Sequence, residues 1–374
     1  MKKRANGEGT IYFDEKKQLY RAMLVTPAGK RMTKSSKDES LVKDWLNEQR
    51  LLIGRNQHIE PTGITVGQWF DTWLEVYARH NTKPRTYDRY CSLLDRAEPL
   101  RNVKLTNLTP AHLQKLYNDL SKIYAGNTMK HIHFCISGAL KQAVINNLIH
   151  INPTTNVKTP TARKKEINIF TADEVDQMIN AAPDYPCEPS IILAYTTGMR
   201  LSELLALRWE DTDLRKATDK IKSTLTINQT VHRSFSAGLY FSDCKNTSSH
   251  RTITLPHETV VALNKYKLKT GRSTGLIFVN GSDNPYDSTS YSRLVYNRMK
   301  TALGIENKGF HCFRHTHASE LVSAGIPIQE VSKRLGHSKI STTLDIYSHC
   351  VPTEDDRITD KISEFLNKNK THAN

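Results

Sequence analysis

The stretch from Gly309 to Tyr347 gathers side chains that together could handle a phosphate. His311 and Arg314 stand three apart, so on a helix they share one face. His337 follows Leu335-Gly336, and Tyr347 closes the run. Two imidazoles, one guanidinium and one phenol are carried on consecutive short elements, a set that suits phosphate chemistry. Ordinary explanations exist for each. A lone histidine can be a polar surface or satisfied core residue, and a tyrosine a packing residue with a bonded tip. His311, His315 and His317 can also be read as metal ligands, because His311 and His315 lie at i, i+4; the glutamate that a zinc hydrolase helix requires does not follow.

The elements that must position these groups are legible. Phe310, Phe313 and Leu321 bury the other side of a first helix. Gly325 ends it and Pro327 opens the next, whose apolar stripe is Ile328, Val331 and Leu335 and whose stop is Gly336. Tyr347 closes a third run, with Leu344 expected to anchor that run in the core. The two helices around Gly325 also fit a plain DNA-reading helix-turn-helix.

The order H-x-x-R (His311-Cys312-Phe313-Arg314), then L-G-H (Leu335-Gly336-His337), then Tyr347 resembles the tyrosine recombinase (phage integrase) family. The family also has an arginine in a T-G-x-R-x-x-E context and a lysine on a hairpin. Here these are Thr197-Gly198-Met199-Arg200-Leu201-Ser202-Glu203 and Lys245. The likeness is close over the C-terminal half and one of layout over the N-terminal half. It implies a site-specific recombinase, the integrase of a phage or conjugative element, cutting DNA through a 3′-phosphotyrosyl bond. In that scheme Tyr347 is the nucleophile, Arg200 and Arg314 clamp the phosphate, and Lys245 protonates the leaving 5′-oxygen. His311 assists as base toward the tyrosine, His337 hydrogen-bonds the phosphate, and Glu203 orients Arg200. His315, His317 and His349 are left as supporting or packing groups. No metal or other cofactor is expected. The expected partners are double-stranded DNA at core and arm sites, three further copies of the chain in a tetramer, a host DNA-bending protein and an excisionase.

Composition points the same way. Lysine plus arginine outnumber aspartate plus glutamate by 53 to 38, a net charge of +15 over 374 residues, which favours a polyanionic partner. No apolar run approaches the roughly 18–20 residues of a membrane span, and the basic start MKKRANGEGT lacks the apolar segment of a secretory signal. Cys91, Cys135, Cys187, Cys244, Cys312 and Cys350 form no C-x-x-C pair, as expected of reduced thiols in a bacterial cytoplasm.

The fold class expected is multidomain α+β. Residues 1–57 read as a small module of three strands and a helix, which the resemblance implies is an arm-type DNA-binding domain; on composition alone its basic side chains fit a solvated charged face equally well. Its strands cover Gly9–Phe13, Leu19–Val25 and a third from Arg31, with a turn at Pro27–Lys30. A helix from Asp38 to Leu52 turns Leu41, Trp45 and Leu52 toward the sheet. Arg21, Lys30, Arg31, Lys34 and the terminal Lys2, Lys3 and Arg4 are candidate DNA contacts. After a linker at His58–Gly63, residues 64–157 read as a four-helix bundle, which by the resemblance is the core-binding domain, with Lys83, Arg85, Arg89, Lys130 and Lys141 as candidate phosphate contacts. Asn152 to Lys165 reads as a second linker, polar and basic. Residues 166–374 read as a mostly helical catalytic domain with a small antiparallel sheet. It opens on a capping box at Thr171–Glu174 and includes a strand from Ile221 to Val231 and another at Thr252–Pro256. A last amphipathic helix carries Ile358, Ile362, Phe365 and Leu366, packing on its own domain or on a neighbouring protomer. Two readings compete with the recombinase: a type IB topoisomerase, and a non-catalytic DNA-binding regulator.

Overall fold

A computed structural model describes residues 8–27, 29–54, 63–160, 168–215, 222–243 and 249–347. Lys2, Lys3, Arg4, most of the first linker, Arg163–Lys165, Ile221, Lys245, His349 and the helix expected around Ile358–Leu366 lie outside the described residues. The chain divides into two compact units, residues 1–164 and 165–374.

The first unit begins with an antiparallel sheet of β1 (Thr10–Asp14), β2 (Leu19–Val25) and β3 (Arg31–Ser36), in that order. The helix α1 (Glu39–Gly54) follows. Alternation along β2 sends Ala22 and Leu24 to one face, where they meet Val42 and Leu46 of α1. The helix face expected from Leu41, Trp45 and Leu52 is therefore rotated. Leu41 is 56% exposed, while Val42 and Leu46 are buried and Trp45 and Ile53 flank them. The i, i+4 pair Val42 and Leu46 sits over the sheet, so a residue one position earlier turns away by about 100°. On the other face Arg21 donates to Ser35 Oγ at 3.1 Å and Arg31 is exposed; Lys30 is exposed in the turn, and Lys34, paired with Ala22, is exposed on the side that carries the helix.

The same unit continues with α2 (Val66–Trp73), which runs through a π-turn at Leu74–Ala78 into α3 (Arg79–Asn81). Next come α4 (Pro84–Leu94), α5 (Pro110–Leu120) and α6 (Gly126–Ile145). Thr109 caps α5 by accepting from the His112 amide, with Pro110 at the first helical position. Met129, Ile132, Ile136 and Leu140 bury one face of α6 against Val66, Trp69, Phe70 and Leu113, and Trp69 Nε1 donates to the Ala139 carbonyl at 2.9 Å. Lys130, Phe134 and Lys141 occupy the opposite, exposed face of α6, and Lys83, Arg85 and Arg89 are exposed on and just before α4. The second linker does not begin at Asn152. Pro153–Asn156 is a 3-10 turn with Pro153 and Thr154 buried, Thr154 Oγ1 donates to Ser137 Oγ at 2.8 Å, and the Lys158 amide donates to Gln114 Oε1 at 3.0 Å. Polar side chains that read as linker are used to satisfy one another against α5 and α6.

The second unit opens with α7 (Ala172–Ala181), capped reciprocally by Thr171 and Glu174 as expected. It is followed by α8 (Pro189–Thr197) and the single turn α9 (Leu201–Leu204). The strands are β4 (Thr212–Asp213), β5 (Thr224–Ile227), β6 (Gln229–Ser234), β7 (Gly238–Asp243) and β8 (Arg251–Thr254). They form an antiparallel sheet β4-β5-β8 and a separate hairpin β6-β7. The single strand expected up to Val231 is thus two. Asn228 interrupts it by donating its side-chain amide to Asp211 Oδ1 at 2.7 Å, and the two halves pair with different partners.

The chain then forms α10 (His257–Thr270), α11 (Ser288–Tyr291), a π-turn at Ser292–Tyr296 and α12 (Asn297–Ala302). It ends in α13 (Cys312–Ser323), α14 (Ile328–Leu335) and α15 (Ile340–Tyr347). Phe310 and Phe313 pack with Tyr291, Tyr296 and Phe170 in an aromatic cluster that seats the start of α13. Leu344 does not anchor α15: it is 48% exposed, and Tyr347 itself joins Ala318, Val322, Val331 and Leu335 in the core. The buried face is the one that Thr343 and Tyr347 share, four apart, and Leu344 stands at its edge.

Candidate active site

Each functional side chain is delivered by a helix terminus. Gly198 stops α8 in a left-handed conformation (φ +63°), and a Cβ there would come within 2.7 Å of His317 and 2.8 Å of Leu335. Only glycine meets both demands. The carbonyl of Gly198 accepts from Arg314 Nη1 at 2.9 Å, which ties the turn to α13. Two residues on, Arg200 caps α9 in an extended conformation. Its Nη1 donates to Glu203 Oε1 at 2.8 Å and its amide to Oε2 at 3.0 Å.

Glu203 is 2% exposed and serves a second cation, since Arg251 Nη2 donates to its Oε2 at 2.9 Å. Burial pushes this carboxyl up, but Arg251 and then Arg200 outweigh it and hold Glu203 below the usual range, ionised. Arg251 also donates from Nε to the Arg334 carbonyl at 2.8 Å. Arg334 in turn donates to His317 Nε2 at 3.2 Å and to the Thr196 carbonyl at 2.9 Å. A continuous network thus joins α8, α9, β8, α13 and α14 beneath Arg200.

Arg314 lies 2% exposed at the centre. Its Nη2 is buried without a hydrogen-bond partner among the described residues. Burial, then repulsion from Arg200, lowers its pKa to about 9, so the guanidinium is still charged near neutrality. A buried cation with an unused donor is costly unless an anion completes it.

His337 follows the left-handed Gly336 that ends α14, and its Nδ1 shares a hydrogen bond of 2.7 Å with Thr343 Oγ1. Burial, then Arg314, Arg200 and Arg251, depress it to about 4. His311 sits at the N-terminal cap of α13 with an open edge to solvent. Desolvation by neighbouring atoms, then His315, Arg314 and Arg200, shift it downward, the open edge limiting how far. Tyr347 is 1% exposed, and its hydroxyl lies 2.7 Å from His315 Nδ1.

Arg200, Glu203, His311, Arg314, His337 and Tyr347, six of the seven expected positions, therefore belong to one unit and are linked by bonds or by mutual electrostatics. Lys245 is outside the described residues. Two differences emerge. The imidazole at the Tyr347 hydroxyl is that of His315, one turn beyond His311, whose ring meets His315 edge-on at 4.8 Å. Arg251 and Arg334, absent from the expected set, carry the network beneath the site. A signal for Arg251 existed: on a strand it shares a face with Ile253, and that face is buried. The histidines do not converge on a common centre, because His315 faces Tyr347 and His317 faces Arg334. Among the described residues no cluster of three or more His, Cys, Asp or Glu could hold a metal ion. Nor is any helix there long and apolar enough to cross a membrane.

Residues 168–354 match the model of the phage integrase family. The chain belongs to that family, the tyrosine-type site-specific recombinases. Residues 65–121 match a second model, the phage integrase N-terminal SAM-like domain. A tyrosine recombinase XerC-like protein of Caldanaerobacter subterraneus subsp. tengcongensis is 26% identical over 356 residues, covering 88% of this chain and 89% of that protein. Among solved structures, the Tn1549 transposon integrase in complex with a circular intermediate DNA matches with a TM-score of 0.67 at 17% identity, over 81% of this chain and 99% of that one. A lambda integrase tetramer bound to a Holliday junction matches at 0.56 and 19% identity, over 91% of this chain and 98% of that one. At such identities the structural matches show a shared integrase fold.

Proposed function

We propose that this protein integrates and excises a mobile element by cleaving and rejoining DNA through a 3′-phosphotyrosyl intermediate. The observation that carries the proposal is the unpartnered Arg314 Nη2, a buried cationic donor beside Arg200, His337 and Tyr347. A scissile phosphodiester is an anion of the right shape to complete it, since a planar guanidinium can bind two phosphate oxygens at once. The transition state gathers charge on the non-bridging oxygens, and each lost donor at such a position commonly costs about 3–4 kcal/mol of barrier.

In this mechanism Tyr347 attacks phosphorus, Arg200 and Arg314 hold the non-bridging oxygens, and His337, kept upright by Thr343, donates a hydrogen bond to one of them. Lys245 protonates the leaving 5′-oxygen. Glu203 holds Arg200 in place. The covalent bond to tyrosine conserves the energy of the phosphodiester, so rejoining needs no nucleotide. Residues 64–157 and 166–374 would grip the core site, with Lys83, Arg85, Arg89, Lys130 and Lys141 at its phosphates, and residues 1–57 an arm site through Arg21, Lys30 and Arg31. Four copies would act on two duplexes in the cytoplasm, with a host DNA-bending protein and an excisionase setting direction. The C-terminal segment beyond Tyr347 would pack within or between protomers.

The test uses a nicked duplex spanning the end of the mobile element that carries this gene, incubated in EDTA and stopped with SDS. A covalent protein–DNA band that disappears in Tyr347→Phe, together with strand exchange between two duplexes, is expected. Relaxation of a supercoiled plasmid carrying the same site, without exchange, would point to a topoisomerase. Tight binding without any covalent band would make the protein a regulator.

A further inference from the structure

We infer that His315, rather than His311, takes the phenolic proton of Tyr347 as that oxygen attacks phosphorus. The inference rests on the recombinase reading and assigns its general base. The carrying observation is the 2.7 Å separation of His315 Nδ1 from the Tyr347 hydroxyl, with the rings 5.9 Å apart and inclined at 54°. That distance is a direct hydrogen bond, within the reach a base requires.

The contact is aimed from both sides. Tyr347 reaches it from α15 with its ring gripped by Ala318, Val322, Val331 and Leu335. His315 reaches it from the first turn of α13, whose position is set by the Arg314 bond to Gly198 and by the aromatic cluster around Phe313. His311 stands behind His315, edge to face, and borders Arg200 instead.

The step balances without a further reactant. With the ring proton on Nε2, the Nδ1 lone pair accepts the phenolic proton as the tyrosine oxygen bonds to phosphorus. The bond from phosphorus to the 5′-oxygen breaks, its electron pair leaves on that oxygen, and Lys245 supplies a proton there. In the reverse step the 5′-hydroxyl returns its proton to Lys245 as it attacks. The imidazolium of His315 then returns its own proton to the departing tyrosine oxygen.

The surroundings keep this base ready. Burial, then Arg314, lower the His315 pKa, so the ring is neutral at pH 7. The titratable groups about it are His311 and Arg314 at the start of its own helix and Tyr347 on α15. Arg200, Glu203 and His337 border it through His311 and Arg314. The negative charge of the bound phosphodiester offsets the cations as the imidazolium forms.

The experiment compares wild type, His315→Ala, His315→Gln, Lys245→Ala and Tyr347→Phe in single-turnover cleavage of the nicked duplex described above. Each is run on the ordinary duplex and on one with sulfur replacing the 5′-bridging oxygen. A thiolate leaves without a proton, so this substrate relieves the need for an acid and not for a base. His315→Ala and His315→Gln are expected to cleave about 100-fold slower. Both stay slow on the sulfur substrate, where Lys245→Ala recovers, and both lose the wild-type rise in rate at pH below about 6.5.

Unchanged DNA binding and thermal midpoint show that the loss is chemical; should His315→Ala unfold, the glutamine variant, which keeps a polar side chain of similar reach, answers alone. Wild-type rates in His315→Gln would mean that a hydrogen bond suffices, and recovery of His315→Ala on sulfur would place it on the acid side. Equal or faster cleavage by His315→Ala would mean that it only stores Tyr347 in the core. Any of these three overturns the inference while leaving the recombinase reading intact. Absence of a covalent complex from wild type itself overturns the recombinase reading and the inference together.

Discussion

Glu203 shows how much of this site depends on one carboxylate. It is buried and bonded to both Arg200 and Arg251, and Arg251 is itself 8% exposed. Removing one partner of a buried ion pair leaves an uncompensated charge, so Glu203→Ala is expected to cost about 3 kcal/mol of stability in denaturant unfolding and to abolish cleavage. Gly198→Ala should act through sterics and backbone conformation instead, displacing His317 or Leu335 and the carbonyl that holds Arg314. A loss of roughly 1–3 kcal/mol is expected, with cleavage falling more than DNA binding. Acid sensitivity follows from His317, which burial and then Arg334 depress to about 4. The unfolded chain takes up this proton near pH 6.5 and the folded chain only near 4, so stability contributed by the neutral ring is present above about 6.5 and lost as pH falls through that window. Glu203, also depressed, adds its own loss only below about 4.3. A His317→Gln variant should therefore make the pH dependence of the thermal midpoint between about 6.5 and 4 shallower by one histidine's share, His337 and the other lowered histidines keeping the rest, and leave the more acidic limb.

At the scale of elements, α15 and α6 carry opposite lessons. The α15 helix holds Tyr347, the proposed nucleophile, by burying it with Thr343 and leaves Ile340 and Leu344 outside. Leu344→Ala should therefore change the stability of the isolated protein by less than about 0.5 kcal/mol. Thr343→Val, nearly isosteric, should lower cleavage by removing the partner of His337 while the fold persists. In α6 one face is sealed by Ile132, Ile136 and Leu140 while Lys130 and Lys141 remain outside with Phe134 between them. If these lysines neutralise phosphates, each charge removal should reduce the salt slope of DNA binding by about 1 while leaving sequence preference alone, as fluorescence anisotropy across a salt series would report.

Over the whole molecule, a net charge of +15 couples the chain to DNA. With 6–10 phosphate contacts, affinity should drop by roughly 10³–10⁵ between 50 and 200 mM salt, and a flat profile would argue against the DNA-binding surfaces proposed here. What the sequence determined by itself was the local and the chemical. Helix stops at Gly198, Gly325 and Gly336, the caps at Thr109 and Thr171 and the spacing of Arg200, His311, Arg314, His337 and Tyr347 depend on backbone conformation and residue type within a few positions, so they are legible in one dimension. What only the tertiary structure decided was which buried groups meet. The choice of His315 over His311 at Tyr347 depends on how α15 packs against α13, and the sharing of Glu203 by Arg200 and Arg251 depends on a strand 48 residues away. The inward turn of Val42 in place of Leu41, and of Tyr347 in place of Leu344, likewise depends on where a partner surface lies. Periodicity names a helix face only to within one residue; the packing of a second element selects among neighbours, because a closed core has room for one of them.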